Sequence, residues 1–474
     1  MAKFFIDHHG CAKNQTDGEL IAGFLLDSGY EYTSNPQEAD YIIINSCGFI
    51  ESAKKESLDA VYSIRKQFPN KKLILTGCLA ERYPKVLEES MPELDGIFGN
   101  GDLSKFPEYL KACSKSKTLK AAVYEQKGIC EGKRPYLFNF SGSAYVKITE
   151  GCSNNCSFCA IPLIRGPVRS RPVNNIIKEI KGLVQKGVSE INLIGQDLAA
   201  FTLDKKSAAD WDQKHSPLAY LLSKISLVEG DFIIRCLYIH PDHFNTDILD
   251  VYKKDKRFVP YFDIPFQNGD DTIIKAMNRV GPVKKYVQLI KTIRKELPDA
   301  VIRTTFMTGF PGETEESFNN TKAFINAIEP DWSGCFAFSR EDDTPAYSFK
   351  NRIPVKIAKE RAACLEQLQS QITAERMKKY ISKKFEVLVE EIISSATDDG
   401  EGLALARAWF QAPDVDGCIV VRYDSNDNLQ NQQVKPGNLL EVVCLAATGV
   451  DLDCRFVKLV KASKKSSLEF IEKS

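Results

Sequence analysis

The sequence predicts a multidomain α/β protein. It reads as an N-terminal parallel-sheet domain, a partial or full (β/α) barrel and a small closed C-terminal β-barrel. Three observations predict it. Short apolar runs alternate with amphipathic, helix-period stretches through most of the chain, which implies parallel strands with right-handed crossovers. From about Lys383 the pattern changes to short strands punctuated by Pro413, Gly417, Pro436-Gly437 and Gly449. At 474 residues the chain exceeds what one core supports, and three domains suit that length.

In order, Lys3–His8, Tyr41–Asn45 and Leu73–Leu75 read as buried strands. Thr16–Ser28, Ser52–Phe68 and a stretch near Glu81–Ser90 read as the helices between them. Ala144–Ile148, Glu190–Ile194, Ile233–Tyr238, Tyr261–Ile264, Val301–Met307 and Cys335–Phe338 are the strands expected of the second unit, with Val173–Lys186 a helix closed by Gly187. Pro354–Tyr380 is expected to be a bridging helix. Phe385–Val389, Cys418–Arg422, Leu439–Cys444 and Arg455–Val460 are the strands expected of the third. The expected divisions are 1–135, 136–380 and 381–462, with 463–474 a tail.

Composition narrows the class. Hydrophobic residues make up 43% and charged residues 27%, the balance of an ordinary globular protein. No apolar run reaches membrane-spanning length and the charged start does not resemble a signal peptide, so the expected compartment is the cytoplasm, with no membrane partner. Fourteen cysteines in such a chain favour metal or redox chemistry over a disulfide framework.

Six of those cysteines have informative positions. Cys152, Cys156 and Cys159 lie in the run Glu150-Gly151-Cys152-Ser153-Asn154-Asn155-Cys156-Ser157-Phe158-Cys159, after a predicted strand. Three thiolates so spaced suit three irons of a [4Fe–4S] cubane and leave the fourth iron open. Such a site suggests chelation and radical cleavage of S-adenosylmethionine. A structural zinc loop is the alternative, but zinc would require a fourth Cys or His, and the nearest downstream histidine is His215. Cys11, Cys47 and Cys78 each follow a predicted strand of the first domain. The carboxyl ends of parallel strands share one edge, where ligands collect. A second three-thiolate cubane is the expected occupant. Cys113, Cys130, Cys236, Cys335, Cys364, Cys418, Cys444 and Cys454 show no ligand spacing. Arg165, Arg169 and Arg171 follow the cluster loop. They read either as a solvated basic face or as groups that orient a carboxylate.

These motifs make the chain resemble the radical S-adenosylmethionine methylthiotransferases over nearly its whole length. The matching stretches are Gly10-Cys11-Ala12-Lys13-Asn14, Asn45-Ser46-Cys47-Gly48-Phe49-Ile50, Thr76-Gly77-Cys78, the cluster loop through Ile161-Pro162, Arg165-Gly166 and Ser170-Arg171-Pro172, and Gly309-Phe310-Pro311-Gly312-Glu313-Thr314. The resemblance implies a radical S-adenosylmethionine barrel followed by a TRAM-type barrel, two [4Fe–4S] clusters, S-adenosylmethionine and an external electron donor. Expected S-adenosylmethionine contacts are Phe158, Gly195, Gln196, Asp197, Arg303, Thr305, Gly309, Pro311 and Gly312. Gln196-Asp197, Ile264-Pro265-Phe266-Gln267 and Ala412-Pro413-Asp414-Val415-Asp416-Gly417 are similar to the branch that methylthiolates an aspartate of small-subunit ribosomal protein S12. Ala12, Gly18 and Asn268 depart from that branch's usual residues without touching a cysteine. Between Lys383 and Lys461 there are 13 acidic and 8 basic residues, a net of −5. Such a surface repels phosphate and attracts a basic ribosomal protein, which argues for S12 as partner and against direct nucleic-acid binding. The rival substrate is a tRNA adenosine.

Overall fold

A computed structural model describes residues 1–115, 121–211, 213–393, 400–463 and 468–471. Its first layer is a parallel sheet whose strands run, in spatial order, Glu31–Tyr32, Lys3–His8, Tyr41–Ser46, Lys72–Gly77, Gly96–Phe98 and Ala121–Ala122. Every residue of Tyr41–Ser46 is buried, as a central parallel strand covered on both faces requires. Helices Ala12–Asp27 and Glu51–Gln67 make the first two crossovers. The expected single helix near Glu81–Ser90 is two helices, Cys78–Arg82 and Pro84–Ser90. Pro84 cannot donate the amide that a continuous helix would need, so it opens the second one instead.

The second layer is a curved parallel sheet of six strands in the order Trp332–Ala337, Val301–Thr308, Phe258–Asp263, Ile233–Cys236, Glu190–Ile194 and Ser143–Lys147. Sequential strands are spatial neighbours, which is the pattern of a partial (β/α) barrel. A core rich in Ile, Leu and Phe lies between the strands and helices such as Val173–Gln185 and Val283–Glu296. Helix Val355–Met377 leads to the third unit.

The third unit is a closed five-stranded barrel of Lys384–Ile393, Glu401–Ala408, Ile419–Asp424, Asp451–Lys461 and Leu439–Thr448. The strand Glu401–Ala408 had no expectation in the sequence. Its inward positions are Gly402, Ala404, Ala406 and Ala408, small residues with little strand preference, admitted because the barrel interior is narrow there. The loop from Trp409 to Gly417 seals the inner face of the parallel barrel. Arg407 and Arg235 both hold the buried Glu190, Arg235 also donates to the Trp409 carbonyl, and Trp332 Nε1 donates to the Phe410 carbonyl. Asp416 accepts from Tyr261 at 2.6 Å and from Arg303 at 3.3 Å. Within the expected tail, Leu468 is buried, and Glu469–Phe470 pairs in parallel with Tyr136–Leu137. Among the described residues, no helix is long and apolar enough to cross a membrane.

Candidate active site

Cys11, Cys47 and Cys78 meet at the carboxyl edge of the first sheet. Cys11 is the N-cap of helix Ala12–Asp27, Cys47 follows Tyr41–Ser46 directly, and Cys78 opens helix Cys78–Arg82. Two glycines let these loops approach. A side chain on Gly10, at φ +100°, would put its Cβ 3.0 Å from the Cys47 Cβ; on Gly77, at φ +94°, the Cβ would lie 2.5 Å from the Ser46 carbonyl oxygen. Asn14 fastens all three loops together. Its Nδ2 donates to the Ser46 carbonyl at 2.7 Å and the His9 carbonyl at 3.2 Å, and its Oδ1 faces the Cys78 thiol at 3.1 Å.

The second group lies on the loop after strand Ser143–Lys147. The Cys152 amide donates to the Gly166 carbonyl at 3.0 Å, and the Cys159 amide to the Cys156 carbonyl at 3.0 Å. The Ser157 amide and hydroxyl reach the Met277 and Ala276 carbonyls, so the turn at Ala276–Asn278 braces the loop from outside. Within each group the thiols feel one another's charge: Cys47 with Cys78 and Cys11, and Cys159 with Cys156 and Cys152.

Arg165, the last residue of the short helix Ile161–Arg165, links the first group to Glu150 at the start of the loop that carries the second. It is buried, donates 3.2 Å to the Cys78 sulfur and 2.6 Å to Asn14 Oδ1, and pairs with Glu150 at 2.6 Å and Asp17 at 2.9 Å. Lys147 bridges the same two carboxylates at 2.5 Å each. Glu150 is therefore held well below the usual carboxylate range: burial opposes its charge, but Lys147 and Arg165 overcome that. Burial pushes the Cys47 and Cys159 thiols up to about 12 and Cys152 to about 11, and neighbouring sulfurs add to all three. At Cys11, the exposed member of the first group, crowding by protein atoms raises the value too, but Lys13 and Arg165 more than reverse it.

Both groups fit an iron–sulfur cubane. All six thiols are free, the first three come from loops packed against one another and the second three from a single loop, and nearby cations, Lys13 and Arg165 at the first and Arg279 at the second, compensate the charge of bound thiolates. Among the described residues, no three Cys, His, Asp or Glu side chains close on one point as a single ion requires. A cubane spreads three thiolates over three irons.

The remaining expected residues divide by surroundings. Phe158 packs with Ile273, Met277 and Phe310 beside the second group. Gly195 lies against the Thr149 hydroxyl, where a side chain would not fit. Gln196 Nε2 reaches Glu150 at 3.5 Å, and among the described residues its buried Oε1 has no hydrogen-bond partner. Asp197 is occupied by Asn154 at 3.0 Å, His243 at 2.9 Å and the amides of Ala199 and His240, which orders the loop rather than leaving a free carboxylate. Arg303 is held between Asp263 at 3.5 Å and Asp416. Thr305 is half-buried, its carbonyl taking the Gln267 amide. Gly309 packs tightly on Ala358 and donates to Glu313, Pro311 is buried, and Gly312, at φ +91°, opens to space. Arg165, Arg169 and Arg171 were expected either as a solvated basic face or as carboxylate-orienting groups. Arg169 is engaged by the Gly128, Arg165 and Pro167 carbonyls, and Arg171 by Glu131 and Glu179, so both are structural. Gly18, a departure noted above, faces the His8 ring, which leaves no room for a Cβ. Asn14 and Lys13 had no assigned role in the sequence, because only the fold brings them to the thiols.

A parallel barrel with a three-cysteine loop at its mouth defines the radical S-adenosylmethionine class. Residues 146–325 match the Radical SAM superfamily, residues 3–99 the uncharacterized protein family UPF0004, and residues 381–457 the TRAM domain. The chain is 49% identical to the ribosomal protein uS12 methylthiotransferase RimO of Treponema denticola, over 94% of this chain and 99% of that protein. It is 34% identical to the enzyme of the same name from Carboxydothermus hydrogenoformans, over 96% and 99%. The radical S-adenosylmethionine methyltransferase TsrM of Kitasatospora setae shares the fold at 13% identity, with a TM-score of 0.53 over 73% of this chain and 75% of that one. The chain belongs to the radical S-adenosylmethionine methylthiotransferases, in the family of the ribosomal protein uS12 methylthiotransferases.

Proposed function

We propose that this protein methylthiolates the β-carbon of an aspartate in ribosomal protein uS12, using S-adenosylmethionine, two [4Fe–4S] clusters and an external electron donor. The observation that carries it is the pair of three-thiol groups, with Arg165 linking Cys78 of one to Glu150 before the loop of the other, in a chain nearly half identical to an enzyme named for that reaction. Cys152, Cys156 and Cys159 would hold the cluster at which S-adenosylmethionine is cleaved to a carbon radical, and Cys11, Cys47 and Cys78 the one that supplies sulfur. The protein's own part is positioning. Asn14 fixes the first three loops, the Ala276–Asn278 turn fixes the second, and Arg165 with Lys147, Asp17 and Glu150 locks one domain's site against the other's. The C-terminal barrel closes the inner face, which excludes water from a reactive radical. Phe158, Gly195, Gln196, Thr305 and Gly312 line the approach expected for S-adenosylmethionine. The same reading divides the chain at 1–135, 136–380 and 381–462.

Reconstituted enzyme, given dithionite and S-adenosylmethionine, is incubated with uS12 and, separately, with tRNA. The expected result is a methylthio mass gain on one uS12 aspartate. A gain on tRNA alone overturns the protein-substrate reading, and a colourless anaerobic preparation holding zinc in place of iron overturns the enzyme reading.

A further inference from the structure

Lys13 lies two residues after Cys11 in the first turn of helix Ala12–Asp27, and its residue is only 7% exposed. Among the described residues its ammonium forms no ion pair and no hydrogen bond. It rests instead on the Tyr238 ring, 3.1 Å from the centroid, across the boundary between the first sheet and the barrel. Tyr238 follows the barrel strand Ile233–Cys236 at its carboxyl end and holds φ +66°, a conformation that costs a bulky residue energy and collects at functional sites.

Lys13 feels the charge of Cys11, Asp263, Arg165 and Glu150. The carboxylates among them are already matched: Glu150 by Lys147 and Arg165, Asp263 by Arg303. The Cys11 sulfur gives Lys13 a neighbouring negative charge, but among the described residues no side chain hydrogen-bonds its ammonium, and a ligand carboxylate would supply that bond. The aspartate side chain is short, so a group that grips its carboxylate also fixes the adjoining β-carbon.

We propose that the Lys13 ammonium, lying on Tyr238 beside Cys11, binds the side-chain carboxylate of the aspartate that is modified and thereby holds its β-carbon between the two thiol groups. This rests on the protein-substrate reading above and names the residue that recognises the substrate's charge. Lys13 is a binding and specificity-determining residue.

The test uses iron-loaded enzyme and two fluorescent peptides from the uS12 loop, one with the target aspartate and one with asparagine in its place. Anisotropy titrations compare wild type, K13Q and K13R, with iron content measured on each. Wild type is expected to prefer the aspartate peptide by about tenfold to a hundredfold, the worth of one charge-assisted hydrogen bond. K13Q should bind both peptides alike, at the wild-type level for asparagine, and K13R should restore part of the preference. A K13Q enzyme that still discriminates as wild type does overturns the proposal. So does one that weakens equally toward both peptides, since that marks a structural role. Wild type that modifies no uS12 aspartate at all instead sinks the underlying reading, and the two failures are thus told apart.

Discussion

Asn14 shows how one polar side chain organises three distant loops. Its amide reaches Ser46 and His9 while its oxygen meets Cys78 and Arg165, so Asn14→Ala removes links to all three cysteine segments at once. Loss of buried, partnered hydrogen bonds costs about 1–3 kcal/mol. The expected outcome is a protein that keeps the radical-site iron and loses the other set, so iron per chain falls by about half relative to wild type. Iron and acid-labile sulfide analysis checks this. His240 makes a separate prediction. Burial, then Arg279, lowers its pKa to about 3, against an ordinary value near 6.5. The folded state thus binds fewer protons than the unfolded one between those values, and stability falls as pH drops below about 6.5. His240→Gln should flatten that part of the acid limb, read from urea unfolding at a series of pH values.

Among elements, the Glu190–Arg235–Arg407 cluster ties the parallel barrel to the C-terminal barrel with all three side chains buried. Arg407 also pairs with Glu390 at 2.8 Å, so Arg407→Met leaves that carboxylate without its cation in a low-dielectric setting and should destabilise the fold by about 3–5 kcal/mol, measured by chemical denaturation. The loop Ala412–Gly417 was legible in the sequence only as a branch signature. Its structural duty, placing Asp416 on Tyr261 and Arg303 and Asp414 on Tyr145, depends on strands more than a hundred residues away.

Over the whole molecule, the chain's last described segment returns to its middle. Leu468 is 5% exposed in the barrel core, and Ile471 packs against the core of the first sheet, so one short segment touches both. Ending the chain after residue 467 should remove about 1.5–3 kcal/mol of apolar burial from that junction. Faster limited proteolysis near Tyr136, with little change in secondary structure by circular dichroism, is the expected result.

The sequence by itself determined the three-part order, the parallel strands and the six cysteines on two sets of loops, because hydrophobic period and ligand spacing are local properties. The whole strand Glu401–Ala408 was not legible, because its alanines carry no strand signal. Only the tertiary structure decided which polar residues serve the site. In sequence Asn14 and Lys13 carry no role beyond a matching motif, and Arg165 reads either as solvated or as orienting a carboxylate. Their roles arise from burial and from neighbours brought close by the crossover connections, and a buried charge takes its meaning from those neighbours.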